Sequence, residues 1–531
     1  MPAQTKRPVR AHSALFMFAL TLGCAQHGDT TQLSPAVQPA ALPASFQCLP
    51  PEGPMAAITP SADPDGFPSA ACIDRAQGLL AQMSLGEKLG QMMQPDRTLL
   101  KDETDLGRYG IGSVLSGGGS APDDDTPAGW ANMVNEFRAR SLESRLQIPM
   151  MYGIDAVHGH NNVPGAVIFP HNIGLGASRD PDLVERVGRA TAEEVAGTDI
   201  DWAFSPVLAS ARDERWGRTY ESFGETPELA ELLGPALIRG LQGERLGRGP
   251  NSVLACAKHF LGDGSTAGGH NAGDDPLTLD QVREQLLPAY QQAISAGVGS
   301  IMVSYSSIEG VKMHCHGPLL NDILKGQLGF GGLLVSDWQA IEQLPGDYAT
   351  QLASSINAGV DMVMNPRRYT GFLSAAAALV PDRIPEARID DAVTRILTVK
   401  CELGMLQPGS FAADSNGSIP TSPELANIGS AAHREIAREA VRKSLVLLKN
   451  EAGVLPLSKT IGRVHLAGSH ADDLGEQTGG WTISWQGQSG TWTQGTTIRQ
   501  AFEAALGADH VTYSRDGSGA AGADAAVLVI G

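Results

Sequence analysis

Seven short, almost uninterrupted apolar runs recur between residues 111 and 364, and amphipathic stretches separate them. The runs are 111–115, 149–154, 201–206, 253–260, 300–305, 333–337 and 360–364. Helical patterns fill the intervals at 181–196, 227–242, 279–296, 318–328 and 348–358, and a further helical stretch at 73–93 precedes the first run. Strand alternating with helix over about 300 residues specifies a parallel α/β architecture, because a parallel connection must be long enough to hold a crossover helix. Runs that are apolar on every residue fit strands covered on both faces. Seven strands fall one short of a (β/α)₈-type barrel, and also fit a distorted barrel or a long open sheet.

At 531 residues the chain is too long for one ordinary domain. Residues 1–24 read as a signal peptide: Lys6, Arg7 and Arg10 precede the apolar run 14–22. The order Leu20-Thr21-Leu22-Gly23-Cys24 makes Cys24 a candidate lipid anchor of the lipoprotein type. The expected location is therefore outside the cytoplasm: periplasmic, associated with the outer membrane, or secreted. Residues 25–70, rich in Pro, Ala, Ser and Thr, read as a tether and N-terminal extension, and 71–405 as the barrel. A Pro-, Ser- and Gly-rich linker at 406–427 leads to a second α/β domain at 428–531, with a helix at 431–444 and apolar strands at 445–450, 464–468 and 525–531. Because the last of these runs ends the chain, the expectation is an incomplete domain.

Acidic residues outnumber basic ones by 58 to 39, a net charge of −19, which argues against nucleic acid or an anionic membrane as the main partner and leaves a neutral ligand such as a sugar. Of the six cysteines, Cys48 and Cys72 are expected to pair, and Cys256, Cys315 and Cys401 to be buried free thiols. His158 with His160, and His314 with His316, alternate by two, but no HExxH or cysteine pair completes a metal site. No glycine-rich loop of either phosphate-cradling type is present, so a nucleotide cofactor is not expected.

Polar side chains gather at the ends of the strands. Asp155 follows Met151-Tyr152-Gly153-Ile154, Lys258 and His259 end the run from Val253, Tyr305 ends the run from Ser300, and Asp337 ends Leu333-Leu334-Val335-Ser336. Barrel enzymes assemble their sites at strand C-termini, so four such endings imply one polar-lined mouth. Taken alone, Asp337 is either a helix-capping residue or a nucleophile. Trp338 beside it offers an aromatic face to a sugar ring. Lys258 and His259 can donate to hydroxyls, and Asp155 can accept two vicinal hydroxyls at once.

Taken in order, Gly153-Ile154-Asp155-Ala156-Val157-His158-Gly159, Arg215-Trp216-Gly217-Arg218-Thr219-Tyr220-Glu221-Ser222, Lys258-His259-Phe260, Val335-Ser336-Asp337-Trp338, the segment 444–450 and Gly479-Gly480-Trp481-Thr482-Ile483 resemble glycoside hydrolase family 3, in its β-glucosidase and β-glucan exohydrolase branch. The resemblance implies a barrel followed by an α/β sandwich, a site between them and no cofactor. It implies an exo-acting retaining β-glucosidase for β-glucans, cello-oligosaccharides or aryl glucosides. By the same resemblance Asp337 is the nucleophile, while Asp155, Arg218, Lys258, His259 and Tyr305 hold the terminal sugar. Trp338 and Trp481 would grip the next one. The branch's acid/base glutamate is expected beyond Gly531, with Glu476 the in-chain carboxylate to test. A non-catalytic glucan-binding protein and a β-N-acetylhexosaminidase are the alternatives; for the latter, His270 stands near the place of an Asp-His pair but Gly268 replaces its Asp.

Overall fold

A computed structural model describes residues 46–531 apart from Pro250 and Ala452. The signal and lipid-anchor expectations therefore lie outside the described residues. Eight parallel strands form the core: β1 (Met93–Gln94), β2 (Ser113–Ser116), β3 (Met151–Ile154), β4 (Trp202–Ala203), β5 (Leu254–Phe260), β6 (Ser300–Val303), β7 (Leu333–Val335) and β8 (Val363–Met364). Strands β2 to β7 hydrogen-bond in chain order, and β8 pairs with β1. The bridges Asp96 to Leu115 and Val335 to Met362 join the two groups. The circle is closed, as expected of a (β/α)₈-type barrel, and every residue of these strands is buried.

The eighth strand corrects the expected helix at 73–93. That stretch breaks into Ala70–Leu80 and Leu85–Gln91, and β1 follows at once. The first piece closes at Ala81, and Ser84 begins the second: its hydroxyl accepts from Glu87 N–H while the Glu87 carboxylate accepts from Ser84 N–H. Such a reciprocal cap marks a helix start. The expected helix 279–296 is likewise two helices, Leu279–Gln285 and Leu287–Ser295, with Pro288 in the first turn of the second, where its missing N–H costs nothing. The helices Pro181–Gly197, Pro227–Gln242 and Tyr348–Ala358 match expectation, two of them opening on proline.

A small sheet that the sequence did not suggest lies after β6. Val311–His316 pairs antiparallel with Ser307–Ile308 and parallel with Gln47–Leu49. The Cys48–Cys315 disulfide staples it, and Cys72–Cys401 ties the helix Ala70–Leu80 to the helix Glu386–Glu402. The expected Cys48–Cys72 pairing and the free thiols at Cys315 and Cys401 are therefore wrong; only Cys256 is free among the described residues. Sequence order places Cys48 near Cys72, whereas packing brings each to a partner more than 260 residues away.

The barrel and the C-terminal region belong to one compact unit. The helix Ala431–Ser444 leads into a three-stranded parallel sheet: β9 (Val464–Ala467) at its centre, flanked by β10 (Val511–Ser514) and β11 (Ala525–Leu528). One expectation fails here. Residues 445–450 form no strand, and Leu448 is 91% exposed. The expected strand at 525–531 is present as Ala525–Leu528. Among the described residues no helix is long and apolar enough to cross a membrane.

Candidate active site

The strand ends do converge. Asp155 follows β3, Lys258 and His259 lie within β5, Tyr305 follows β6 and Asp337 follows β7. Lys258 Nζ is 2.9 Å from Asp155 Oδ1, and His259 Nε2 is 3.6 Å from Asp337 Oδ2. Arg218 arrives from the loop after β4, with Nη2 3.1 Å from His259 Nε2. All six expected sugar-site residues thus share one mouth, each buried or nearly so.

Asp337 is held from several sides. Its backbone N–H donates to His314 Nε2 at 3.1 Å, and its Oδ1 accepts from Trp338 N–H at 2.6 Å. Its Oδ2 is buried without a hydrogen-bond partner. An unpaired carboxylate oxygen in the interior is costly to maintain, and such groups concentrate where chemistry is done. Tyr305 donates its hydroxyl to the Trp338 carbonyl, and burial and the neighbouring Asp337 push its pKa well above the usual phenol range. It stays a neutral donor.

The charges around Asp337 are paired with care. Burial raises the Asp155 pKa, against the pull of the Lys258 ammonium. Burial would also raise that of Glu221, but the Arg218 guanidinium, bound at 2.6 and 2.9 Å, holds this carboxyl down at about 2. A bidentate guanidinium–carboxylate pair fixes geometry as well as charge. Arg218 is therefore presented in one orientation with its charge intact.

The C-terminal region contributes a turn of strained backbone. Trp481 and Ile483 both have positive φ, +56° and +61°, a conformation that costs a non-glycine residue of the order of 1–2 kcal/mol. Barrel groups hold it there. Ile483 N–H donates to the Asn161 carbonyl at 2.9 Å, His171 Nε2 lies 2.9 Å from the Gly480 carbonyl, and Thr482 Oγ1 lies 3.1 Å from His158 Nε2. The Trp481 ring is 8% exposed, packed with Val157 and Trp216 and facing Lys258 Nζ at 5.4 Å. Trp485, at 49% exposure, is the open indole of this turn. The Gly117-Gly118 loop passes between it and Trp338: a Cβ at Gly117 would meet the Trp338 ring at 3.1 Å, and one at Gly118 would meet Trp485 N at 2.7 Å.

Glu221, Asp263, His314 and Trp485 also line this mouth, and the sequence pattern does not single them out. Glu221 stood three residues after Arg218, a spacing that could have suggested the clamp. His314 lies on the unexpected small sheet and gave no signal beyond its alternation with His316. Glu476 is engaged elsewhere, with His470 at 3.1 Å and Arg515 at 3.8 Å. His270 is exposed, and Gly268 beside it takes a left-handed φ of +69°. Among the described residues no three His, Cys, Asp or Glu side chains gather closely enough to hold a metal ion.

The model of the glycosyl hydrolase family 3 N-terminal domain matches residues 84–399, and that of the family 3 C-terminal domain matches 445–531. A lysosomal beta glucosidase of Dictyostelium discoideum is 34% identical over 438 residues, which cover 77% of this chain and 52% of that protein. A periplasmic beta-glucosidase of Salmonella typhimurium is 30% identical over 437 residues, 81% of this chain and 54% of that one. The crystal structure of an exo-1,3/1,4-beta-glucanase from a Pseudoalteromonas species superposes with a TM-score of 0.82 at 39% identity, covering 89% of this chain and 60% of that one. The chain thus spans about half the length of the curated relatives it matches.

Proposed function

The chain belongs to glycosyl hydrolase family 3, and from that premise we propose that it is an exo-acting retaining β-glucosidase in which Asp337 attacks the anomeric carbon. The observation that carries this reading is Asp337 Oδ2: buried, unpaired, and set among Arg218, Lys258 and His259. Attack by that oxygen forms a glycosyl ester and expels the leaving oxygen, and water then releases the sugar. Asp155, kept beside the Lys258 ammonium, accepts sugar hydroxyls, while Arg218, His259 and Tyr305 orient the ring. Trp481 walls the pocket over Lys258, and Trp338 with the half-exposed Trp485 frames the mouth for the next sugar. β-Linked glucose oligosaccharides and glucosides are the proposed substrates, and the exo-acting and β-glucosidase names of the relatives support that choice.

A retaining enzyme also needs a proton donor about 5–5.5 Å from its nucleophile. Asp155, Glu221 and Asp263 are each tied to a cation or an imidazole, which leaves none of the three suited to that role. Activity on an aryl β-glucoside with a strongly acidic leaving group, which departs without protonation, therefore tests Asp337 by itself. Asp337→Ala should lower kcat on that substrate by roughly 10⁴-fold or more. Full activity in the variant would sink the reading. Binding of a glucan oligomer with no turnover of the activated glucoside by the wild-type chain would favour a sugar-binding protein instead, and preference for the aryl N-acetylglucosaminide a hexosaminidase.

Export is part of the same proposal. Two disulfides persist only in an oxidising compartment, and the Salmonella relative is named as periplasmic.

A further inference from the structure

The imidazole of His259 is held at both nitrogens. Nδ1 lies 2.7 Å from Asp263 Oδ2, and Nε2 lies 3.1 Å from Arg218 Nη2 and 3.6 Å from Asp337 Oδ2. A guanidinium has donors only, so Nε2 must accept from Arg218, and the ring proton must sit on Nδ1 and be donated to Asp263. Were the proton on Nε2 instead, donor would face donor across the Arg218 contact. Asp263 thus decides which nitrogen of His259 offers its lone pair to the site.

Local backbone brings Asp263 back to His259. Gly262 adopts φ +87°, a backbone conformation that other residues rarely take, and so turns the chain at this point. The second oxygen, Asp263 Oδ1, is buried with no hydrogen-bond partner, and so is the hydroxyl of Tyr290. Both residues, together with His259 and Leu286, line a cavity of about 10 Å³ whose walls are all buried. That volume matches a single water, and a buried water typically serves polar groups that have no other partner.

We propose that Asp263 is a positioning residue that fixes the tautomer of His259, and that one ordered water in this cavity donates to Asp263 Oδ1 and accepts from the Tyr290 hydroxyl. The kinetic part of this inference rests on the glycosidase reading above; the tautomer and the water do not. NMR of isotope-labelled histidine in the ligand-free full chain, with His259 assigned by His259→Gln, should show a neutral ring protonated at Nδ1. Asp263→Ala should move the proton wholly or partly to Nε2. It should also lower kcat/KM on the activated aryl β-glucoside about 10–100-fold, the scale known for partners that orient metal-bound histidines. Asp263→Leu, close in size and without an acceptor, serves if the alanine variant does not fold.

A high-resolution crystal structure of the wild type should show the water. A wild-type His259 protonated at Nε2, or a variant that keeps both tautomer and rate, would overturn the positioning role, and a dry cavity would overturn the water. If the tautomer and water are found but the wild-type chain does not turn over the glucoside, the glycosidase reading fails and the positioning inference stands.

Discussion

Glu221 shows that the proposed site depends on residues that need not touch a sugar. Its buried carboxylate clamps Arg218, and removing one partner of a buried ion pair leaves the other uncompensated, at a cost of about 3–5 kcal/mol. Glu221→Gln should therefore lower the melting temperature and kcat/KM together; a variant with unchanged stability would mean that the clamp contributes nothing. The pH dependence follows from the direction of the shift. The Glu221 pKa falls from 4.5 to about 2 on folding, so its contribution to stability is complete above about 4.5 and is lost as pH falls toward 2. Denaturant titrations across that window should show the wild type losing stability more steeply than Glu221→Gln. Asp155, Lys258, His259, Tyr305 and Asp337 were legible in the sequence because each ends an apolar run. Asp263 and His314 were not, because each acts through a contact that only the folded chain creates.

At the scale of elements, hydrophobic rhythm located seven barrel strands and most helices, and failed where an element is very short. β1 is two residues long, too few for any periodicity, and it hid at the end of an expected helix. Ser84 and Glu87 carried the signal that should have split that helix. The disulfides were illegible for a different reason: spacing cannot report which distant thiols packing will join. Each closes a loop of more than 260 residues and is worth about 2–5 kcal/mol. Cys401→Ala should lower the melting temperature by roughly 5 °C or more. An unchanged melting temperature, with Cys72 titrating as a free thiol in the wild type, would contradict the Cys72–Cys401 pairing.

Across the whole molecule the two ends of the described structure differ in kind. The barrel strands are fully buried, whereas the C-terminal region exposes Leu445, Val446, Leu447 and Leu448 in succession. Four apolar side chains in succession on a surface favour association. Leu448→Lys combined with Leu445→Lys should reduce concentration-dependent association in sedimentation experiments, and identical behaviour of the wild type and the double variant would argue that these side chains are inert. The barrel mouth is independent of that surface, and it contains the claim on which the functional account turns. A deoxyfluoro-glucoside with a dinitrophenyl leaving group traps a glycosyl ester on a retaining nucleophile, and mass spectrometry of the digested protein locates it. The sugar is expected on Asp337 alone; a label on any other carboxylate, or continued turnover with no label on Asp337, would rule out Asp337 as the nucleophile.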